Sequence, residues 1–393
     1  MSLSQGRPYL AIPGPSVIPD RVLAAMMRPA PNIYQGELPD MMPGMVRDLT
    51  AVARTGHKVA LYISNGHGGW EAALANVAAE GETVLVHATG RFGHGWGDTA
   101  ERMGIRVERL DEGLRAPADP AKLEAALAAD PQHRIKAVLV CQTDTATSAL
   151  SDIAALRAAI DRAGHPALLM VDCIASLAVD RFEMDAWGVD VMLTGCQKGL
   201  MTPPGLCFVF FGAKAAEVRS RMPRVSSYWD WSSRSDPEWF YQFFCGTAPT
   251  HHLYGLRAAL DMLMEEGMEA VWARHERLAT AVWAAAEAWS AEGPLELNMA
   301  DRAHRSRAVT TFRLKAPGGA ELRRWVEGRI GLTLGIGLGM EEPDGVFRIG
   351  HMGHLNGHMI LGALGGIEAG LTALGIPHGG GALDAAAEVI SGA

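Results

Sequence analysis

A lysine and an aspartate follow two apolar segments that are close in the chain. Lys198 stands in residues 193–200 (LTGCQKGL), just after a strand predicted over residues 189–193. Asp172 directly follows a second predicted strand, residues 167–171. A lysine amine can hold an aldehyde as a Schiff base, and a carboxylate can pair with a protonated ring nitrogen. If both residues lie at the ends of parallel strands, they predict a site in which a substrate carbanion delocalises into a bound ring.

Pyridoxal phosphate is the cofactor that requires both groups, and its phosphate needs a site of its own. Residues 64–71 (SNGHGGWE) form a glycine-rich loop that runs into a helix predicted over residues 70–79. A helix N-terminus presents free N–H groups and a positive dipole end to an anion. The loop alone is weak evidence, but beside Lys198 and Asp172 it predicts a phosphate site.

The elements that would position these residues alternate between helix and strand. Strands that alternate with helices of about ten residues predict βαβ units and a mostly parallel sheet, here covered by helices on both faces. The fold class is therefore α/β. Besides the elements above, the predicted strands are 83–87, 106–110 and 135–142, and the predicted helices are 93–103, 121–129 and 152–163.

The pattern changes after about residue 250. A long helix is predicted over residues 254–289, followed by an α+β pattern with strands at 308–314 and 346–350 and helices at 318–330 and 361–374. We therefore expect a large domain over residues 19–255 and a smaller α+β C-terminal domain over residues 256–393. Residues 1–18 are expected to pack on the smaller domain.

Composition and charge exclude several other classes of protein. The 393 residues carry a formal net charge of −9, which argues against nucleic-acid binding. No apolar run reaches the roughly 18 residues that a membrane span needs. The N-terminus lacks the basic and apolar regions of a secretion signal. We therefore expect a cytoplasmic protein without a membrane or nucleic-acid partner.

Cysteine and histidine spacings do not predict a metal site. The five cysteines, of which Cys245 is the last, form no CxxC pair, so neither a zinc site nor a disulfide framework is predicted. His351, His354 and His358 lie close in sequence but have no acid or cysteine beside them.

Several motifs, in order along nearly the whole chain, resemble the class V aminotransferases of pyridoxal phosphate fold type I, in particular the serine/alanine–glyoxylate (serine–pyruvate) branch. The matching segments are 13–15 (PGP), 66–73 (GHGGWEAA), 90–93 (GRFG), 142–147 (QTDTAT), 171–176 (VDCIAS), 197–198 (QK), 203–206 (PPGL), 228–231 (YWDW), 247–249 (TAP), 253–257 (LYGLR) and 347–353 (FRIGHMG).

The resemblance implies roles for individual residues. Lys198 looks like the Schiff-base lysine and proton carrier, and Asp172 like the partner of the pyridinium nitrogen. Arg348 matches the arginine that grips the substrate carboxylate, and Thr247 a residue that reaches the phosphate from the partner subunit, which implies a homodimer with shared sites. The other implied cofactor contacts are Asn65, Gly66, His67 and Gln197 at the phosphate, Phe92 and Ile174 at the ring faces, and Thr145 at the ring hydroxyl; Gly14 and Tyr34 are implied substrate contacts.

The implied reaction is transfer of an amino group from serine, alanine or aspartate to glyoxylate or pyruvate, with ping-pong kinetics. Residues 141–145 (CQTDT) and 89–96 (TGRFGHGW) also resemble pyridoxamine–pyruvate transaminase, which takes free pyridoxamine as a substrate. A cysteine desulfurase would need a late catalytic cysteine, and none follows Cys245. A non-catalytic protein that binds pyridoxal phosphate is disfavoured because Lys198, Asp172 and Arg348 are all present.

Overall fold

The computed structural model describes residues 2–392. The strands in this range are β1 (Tyr9–Ala11), β2 (Lys58–Ser64), β3 (Thr83–Ala88), β4 (Arg106–Asp111), β5 (Ile135–Cys141), β6 (Thr143–Asp144), β7 (Ala149–Leu150), β8 (Leu168–Asp172), β9 (Val191–Gly195), β10 (Gly205–Phe211), β11 (Glu296–Leu297), β12 (Val309–Arg313), β13 (Leu332–Ile336) and β14 (Val346–Gly350).

The α-helices in the same range are α1 (Asp20–Met26), α2 (Glu37–Asp40), α3 (Met42–Val52), α4 (Gly66–Ala75), α5 (Arg91–Arg102), α6 (Pro120–Ala128), α7 (Ile153–Arg162), α8 (Ala213–Ser220), α9 (Ser232–Ser235), α10 (Thr250–Glu266), α11 (Met268–Ser290), α12 (Gly318–Ile330), α13 (Gly357–Ala373) and α14 (Ala382–Ser391). Short 3₁₀ helices cover Phe240–Phe244, Arg302–His304 and Pro343–Gly345.

A seven-stranded sheet forms the centre of the larger body. Its strand order is β2-β10-β9-β8-β5-β3-β4. Neighbours from β9 to β4 pair in parallel, whereas β10 is antiparallel to both β9 and β2. Since parallel strands end at one edge, Asp172 at the end of β8 and Lys198 shortly after β9 lie at the same edge of the sheet.

Alternate residues along the central strands pack on opposite faces of this sheet. Val138 and Leu169 belong to one apolar core, together with side chains of α3, α6, α7 and α10. Leu139 and Met170, their neighbours in sequence, belong to a second core with side chains of α4 and α5. The period of two in a strand explains the division. The prediction of an α/β fold with a mostly parallel sheet and helices on both faces is confirmed.

A five-stranded sheet, β1-β13-β14-β12-β11, is the centre of the smaller body. Strand β1, from the N-terminal segment, pairs in parallel with β13. Helix side chains from Leu278 of α11 onward pack on this sheet, together with α12, α13 and α14. Leu253 and Leu260 of α10 pack instead in the core of the larger body. The predicted division between residues 255 and 256 falls within α10, and the division into domains stays a prediction.

The bounds of several predicted helices differ in the structure, and two of the differences have a clear local cause. The helix predicted over residues 254–289 is two helices, because Gly267, at a φ of 82°, ends α10 and begins α11. The helix predicted over residues 70–79, α4, begins at Gly66 instead of Trp70. The Asn65 side chain accepts hydrogen bonds from the N–H groups of His67 and Gly68 and so caps α4. The glycine-rich residues are therefore the first turn of a helix.

Among residues 2–392, no helix combines the length and the apolar character that crossing a bilayer requires.

Candidate active site

A cavity of about 280 Å³ lies at the sheet edge where β8 ends and the turn after β9 begins. Ten of the predicted site residues line it, together with five that were not predicted. The predicted ones are Gly14, Asn65, Gly66, His67, Phe92, Thr145, Asp172, Ile174, Gln197 and Lys198; the others are Pro15, Trp70, Thr143, Ala175 and Pro204.

Asp172 is a buried carboxylate with one nitrogen donor on each oxygen. The N–H of Ile174 donates to Oδ1 at 2.7 Å, and the indole Nε1 of Trp70 donates to Oδ2 at 2.7 Å. Burial raises the pKa of Asp172 to about 6, while these two donors and the Lys198 amine oppose the rise. A cation in the cavity would compensate the desolvation of this carboxylate.

Lys198 reaches the same cavity from the turn after β9. Its Nζ donates a hydrogen bond to the backbone oxygen of Pro13. Burial lowers the pKa of Lys198 to about 8, with the Arg348 guanidinium acting in the same direction and Asp172 against it. A larger share of this amine is therefore neutral near pH 7 than for an ordinary lysine, as a nucleophilic amine requires.

The N-terminal segment is bonded to the turn that carries Lys198. The Ser16 hydroxyl donates to the backbone oxygen of Lys198 at 2.7 Å, and its N–H donates to the backbone oxygen of Gln197 at 2.9 Å. Gly14 adopts a φ of +95°, and a Cβ there would lie 2.4 Å from Lys198 Nζ. Only glycine therefore lets the segment pass this close to the amine.

The N-terminus of α4 borders the cavity on another side. Gly66 packs directly on Ile174, because a Cβ at position 66 would lie 2.1 Å from Ile174 Cδ1. Across the cavity wall, the Gln197 Oε1 atom is buried and has no hydrogen-bond partner among the described residues. The NH₂ end of the same amide is a donor, and a donor at a cavity that a helix N-terminus also borders suits an anion such as a phosphate.

Phe92 and Thr145 are held by one carboxylate that sequence reasoning passed over. Asp144 is completely buried and accepts hydrogen bonds from the N–H groups of Phe92 at 2.8 Å, Gly93 at 3.3 Å and Ala146 at 2.9 Å. Desolvation raises the pKa of Asp144, and these backbone donors oppose the rise. Asp144 thereby ties the start of α5 to the loop that contains Thr145.

Arg348 lies behind Thr145, on strand β14 of the smaller sheet. Its Nε donates to the backbone oxygen of Ile336 at 2.6 Å, and its Nη1 donates to that of Thr145 at 2.5 Å. Burial lowers the pKa of Arg348 to about 10. Among residues 2–392 its Nη2 has no hydrogen-bond partner, so part of the guanidinium is free to bind a ligand carboxylate.

Three predicted site residues do not line the cavity of this chain: Arg348, which bonds to Thr145 in its wall, and two exposed residues. The side chain of Tyr34 is 86% exposed, and Thr247 is also exposed. The roles implied for them by the resemblance stay predictions.

Trp70 is the most informative residue that the sequence analysis left without a role. It is buried, lines the cavity and bonds to Asp172. The signal that could have found it is its spacing: Gly66 and Trp70 are four residues apart in a helix and therefore share a face.

The side chains present fit pyridoxal phosphate. Asp172 offers an anion for the ring nitrogen, Lys198 an amine with a lowered pKa, and Gln197 an amide donor in the cavity that the N-terminus of α4 borders. No group of three or more histidine, cysteine or acidic side chains among residues 2–392 is arranged to hold a metal ion. His351 bonds to Thr310 and to the backbone oxygen of Arg307.

Comparison with known proteins gives the family. The model of the family "Aminotransferase class-V" matches residues 48–337. The chain is 38% identical over 381 residues to the serine–glyoxylate aminotransferase of Methylorubrum extorquens, with 94% of this chain and 92% of that protein covered. It is 36% identical over 374 residues to the L-aspartate–glyoxylate aminotransferase of Paracoccus denitrificans, with 93% and 91% covered.

A solved structure is similar over the complete chain. The pyridoxamine–pyruvate aminotransferase of Mesorhizobium loti matches with a TM-score of 0.89 and 27% identity, and 100% of each chain is covered. The predicted fold type, enzyme class and cofactor are thereby confirmed. This chain belongs to the class V aminotransferase family, whose cofactor is pyridoxal phosphate.

Proposed function

We propose that this enzyme transfers the amino group of a small L-amino acid, namely serine, alanine or aspartate, to glyoxylate or pyruvate. The observation that carries the proposal is that Asp172 and Lys198 line one cavity of about 280 Å³, while Arg348 bonds to Thr145 in the wall of that cavity. The relatives named for serine–glyoxylate and aspartate–glyoxylate transfer support these substrates.

Each residue has a distinct task in the proposed reaction. Asp172 binds the ring nitrogen and keeps its proton in place, which allows the bound cofactor to accept electrons from the substrate. Lys198 would hold the cofactor and, once displaced by substrate, would accept a proton from the substrate α-carbon and donate it to the cofactor carbon that Lys198 had held. Arg348 binds the substrate carboxylate through its free Nη2 edge.

The remaining contacts hold and orient the cofactor. We assign the phosphate to the N-terminus of α4 with Asn65, Gly66 and His67, and to Gln197. Phe92 and Ile174 would contact the two ring faces, and Thr145 the ring hydroxyl. Both Phe92 and Ile174 pack against the apolar core that covers this face of the sheet, which supports a fixed position for each.

We further propose that the enzyme is a cytoplasmic homodimer in which Thr247 serves the site of the partner subunit. Its exposed position, outside the cavity of its own chain, supports this assignment. Tyr34, exposed on the segment before α2, is proposed to border the substrate entrance in the same assembly.

A second candidate function is transfer between pyridoxamine and pyruvate. The solved aminotransferase of that name from Mesorhizobium loti, similar over the complete chain, favours it. In that case pyridoxamine would occupy the cavity as a substrate that enters and leaves.

An absorbance spectrum of the purified enzyme separates the two candidates. L-serine, L-alanine, L-aspartate and pyridoxamine would be added separately, with Lys198→Ala as the matched control. A visible band that an amino acid bleaches, and that glyoxylate or pyruvate restores, supports the favoured function and ranks the donors. A colourless protein that turns over only pyridoxamine with an oxo acid supports the second candidate. Full transaminase turnover by Lys198→Ala would refute both.

A further inference from the structure

Trp70 donates a hydrogen bond to Asp172, the carboxylate that pairs with the ring nitrogen in the proposed function. Its indole Nε1 lies 2.7 Å from Asp172 Oδ2, across 102 positions of sequence. Both side chains are buried, at 1% exposure for Trp70 and 4% for Asp172. Water therefore does not compete for this hydrogen bond.

The surroundings of Trp70 hold its ring in one orientation. The ring stacks on Trp96 at 6.3 Å between centroids and 15° between planes, and it meets the edge of Phe92 at 6.5 Å. Gly95 of α5 approaches the same ring, since a Cβ there would lie 3.3 Å from Trp70 Cζ3. Packing on several sides leaves the indole N–H directed at Asp172.

An indole N–H is a donor that cannot accept a hydrogen bond or ionise near neutral pH. A hydrogen bond to a carboxylate is stronger than one to a neutral carboxyl group, so this donor favours the ionised form of Asp172. The other groups near Asp172 act in both directions: the Ile174 N–H and the Lys198 amine favour the anion, whereas burial and Asp144 disfavour it. The Cys141 thiol is a weak further donor, with its sulfur 3.9 Å from Oδ2.

We propose that Trp70 is a positioning residue that keeps Asp172 ionised and oriented, so that the shared proton stays on the cofactor ring nitrogen instead of the carboxylate. The inference rests on the proposed function, in which Asp172 pairs with that nitrogen. Removing the indole N–H would make Asp172 a stronger base, and the proton would move from the ring towards the carboxylate.

The chain offers a matched pair of substitutions to test this role. Trp70→Phe removes the donor and keeps an aromatic ring. Trp96→Phe makes the same change in the ring stacked on it, but the Trp96 Nε1 has no hydrogen-bond partner among the described residues. Both variants lose similar packing, and only the first loses a bond to Asp172. Asp172→Asn gives the reference for a ring nitrogen without an anionic partner.

The main measurement is the ¹⁵N chemical shift of ring-labelled pyridoxal phosphate in each holoenzyme. We expect the shift in Trp70→Phe to move towards that of Asp172→Asn, and the shift in Trp96→Phe to stay with the wild type. Equal shifts in the two phenylalanine variants would overturn the proposal.

A second measurement remains informative if Trp70→Phe does not fold, and it requires no catalytic activity. In the full-length chain freed of cofactor and labelled with ¹⁵N-tryptophan, the Trp70 indole signal should titrate with Asp172, and this transition should vanish in Asp172→Asn. An indole signal that does not respond to Asp172 would refute the inference even in an active transaminase. A normal response in an enzyme without transaminase activity would refute only the proposed function.

Discussion

Arg348 of β14 donates through Nη1 to the backbone oxygen of Thr145 at 2.5 Å, although the two residues are 203 positions apart. Thr145 lines the proposed cofactor cavity, and Arg348 belongs to the sheet of the smaller body. One guanidinium therefore joins the two bodies, and its Nη2, without a partner among residues 2–392, is the group that we propose binds the substrate carboxylate.

Arg348→Lys should raise the KM for the amino acid and the oxo acid by about tenfold or more, because an ammonium cannot bind a backbone oxygen and a carboxylate in the same planar arrangement. Steady-state kinetics with both substrates measure the change. Arg323→Lys is the control, since Arg323 also donates to a backbone oxygen, but that of Val346, which does not line the cavity as Thr145 does. An unaltered KM in Arg348→Lys would remove Arg348 from the substrate site.

The reactivity of Lys198 should depend on pH in the range set by its lowered pKa. Burial lowers this pKa from 10.5 to about 8, so the amine is mostly neutral above pH 8. The rate at which the cofactor-free enzyme captures pyridoxal phosphate should rise with pH, be half-maximal near pH 8 and level off about one pH unit higher. Stopped-flow absorbance at several pH values would measure it, and a rate that keeps rising to pH 10 would contradict the prediction.

The lowered pKa of Lys198 should also make the stability of the cofactor-free chain depend on pH. Between pH 8 and 10.5 the folded cofactor-free chain binds fewer protons at Lys198 than the unfolded chain does. The free energy of unfolding should therefore increase, and the folded chain become more stable, as pH rises through this window. Denaturant titrations of wild type and Lys198→Met would isolate it, because methionine does not titrate. Parallel pH profiles for the two proteins would argue against a lowered pKa.

Gly66→Ala should weaken binding of pyridoxal phosphate by about tenfold. The new Cβ would lie 2.1 Å from Ile174 Cδ1 and push this side chain into the cofactor cavity, and such overpacking costs about 1–3 kcal/mol. Gly69→Ala is the matched control in the same turn of α4. Its Cβ would meet nothing closer than Cys207 Sγ at 3.5 Å, an ordinary contact. Fluorescence titration of both cofactor-free variants would compare them, and equal affinities would show that Ile174 moves freely.

Asp144→Asn should lower the free energy of unfolding by about 1–3 kcal/mol, the cost of leaving buried hydrogen-bonding groups unpaired. The amide places an NH₂ group where Asp144 now accepts from backbone N–H groups of Phe92, Gly93 and Ala146. The exposed Asp152 caps α7 by accepting from Ala155 N–H at 2.9 Å, and Asp152→Asn should be nearly neutral because asparagine caps equally well. Chemical denaturation of the pair would test the difference.

Mixing two inactive variants tests the proposed sharing of Thr247 between subunits. Thr247→Glu should repel the phosphate, and Lys198→Ala should lack the reactive amine. If Thr247 serves the partner site, hybrid dimers contain one intact site, and random mixing restores about a quarter of the wild-type activity. No recovery in a sample shown to contain hybrids would place Thr247 in its own subunit or outside the site.

Much of the site was predictable from sequence because its residues follow regular elements. The apolar strands before Asp172 and Lys198 indicated parallel strands, and such strands must end at one edge of a sheet. The cofactor, the enzyme family and most of the cavity-lining residues followed from these strand ends and from motifs in order along the chain. Local errors arose at the ends of elements: the Asn65 cap started α4 at Gly66, and Gly267 divided one predicted helix into two.

Tertiary structure decided the contacts between residues that are distant in sequence. No local pattern shows that Trp70 bonds to Asp172, that Asp144 holds Phe92, or that Arg348 bonds to Thr145. The pKa directions of Asp172 and Lys198 also depend on the fold, because desolvation is their largest cause and burial exists only once the chain has packed. Sequence determined which chemical groups stand at the strand ends, and packing determined their partners, their charge and the cavity between them.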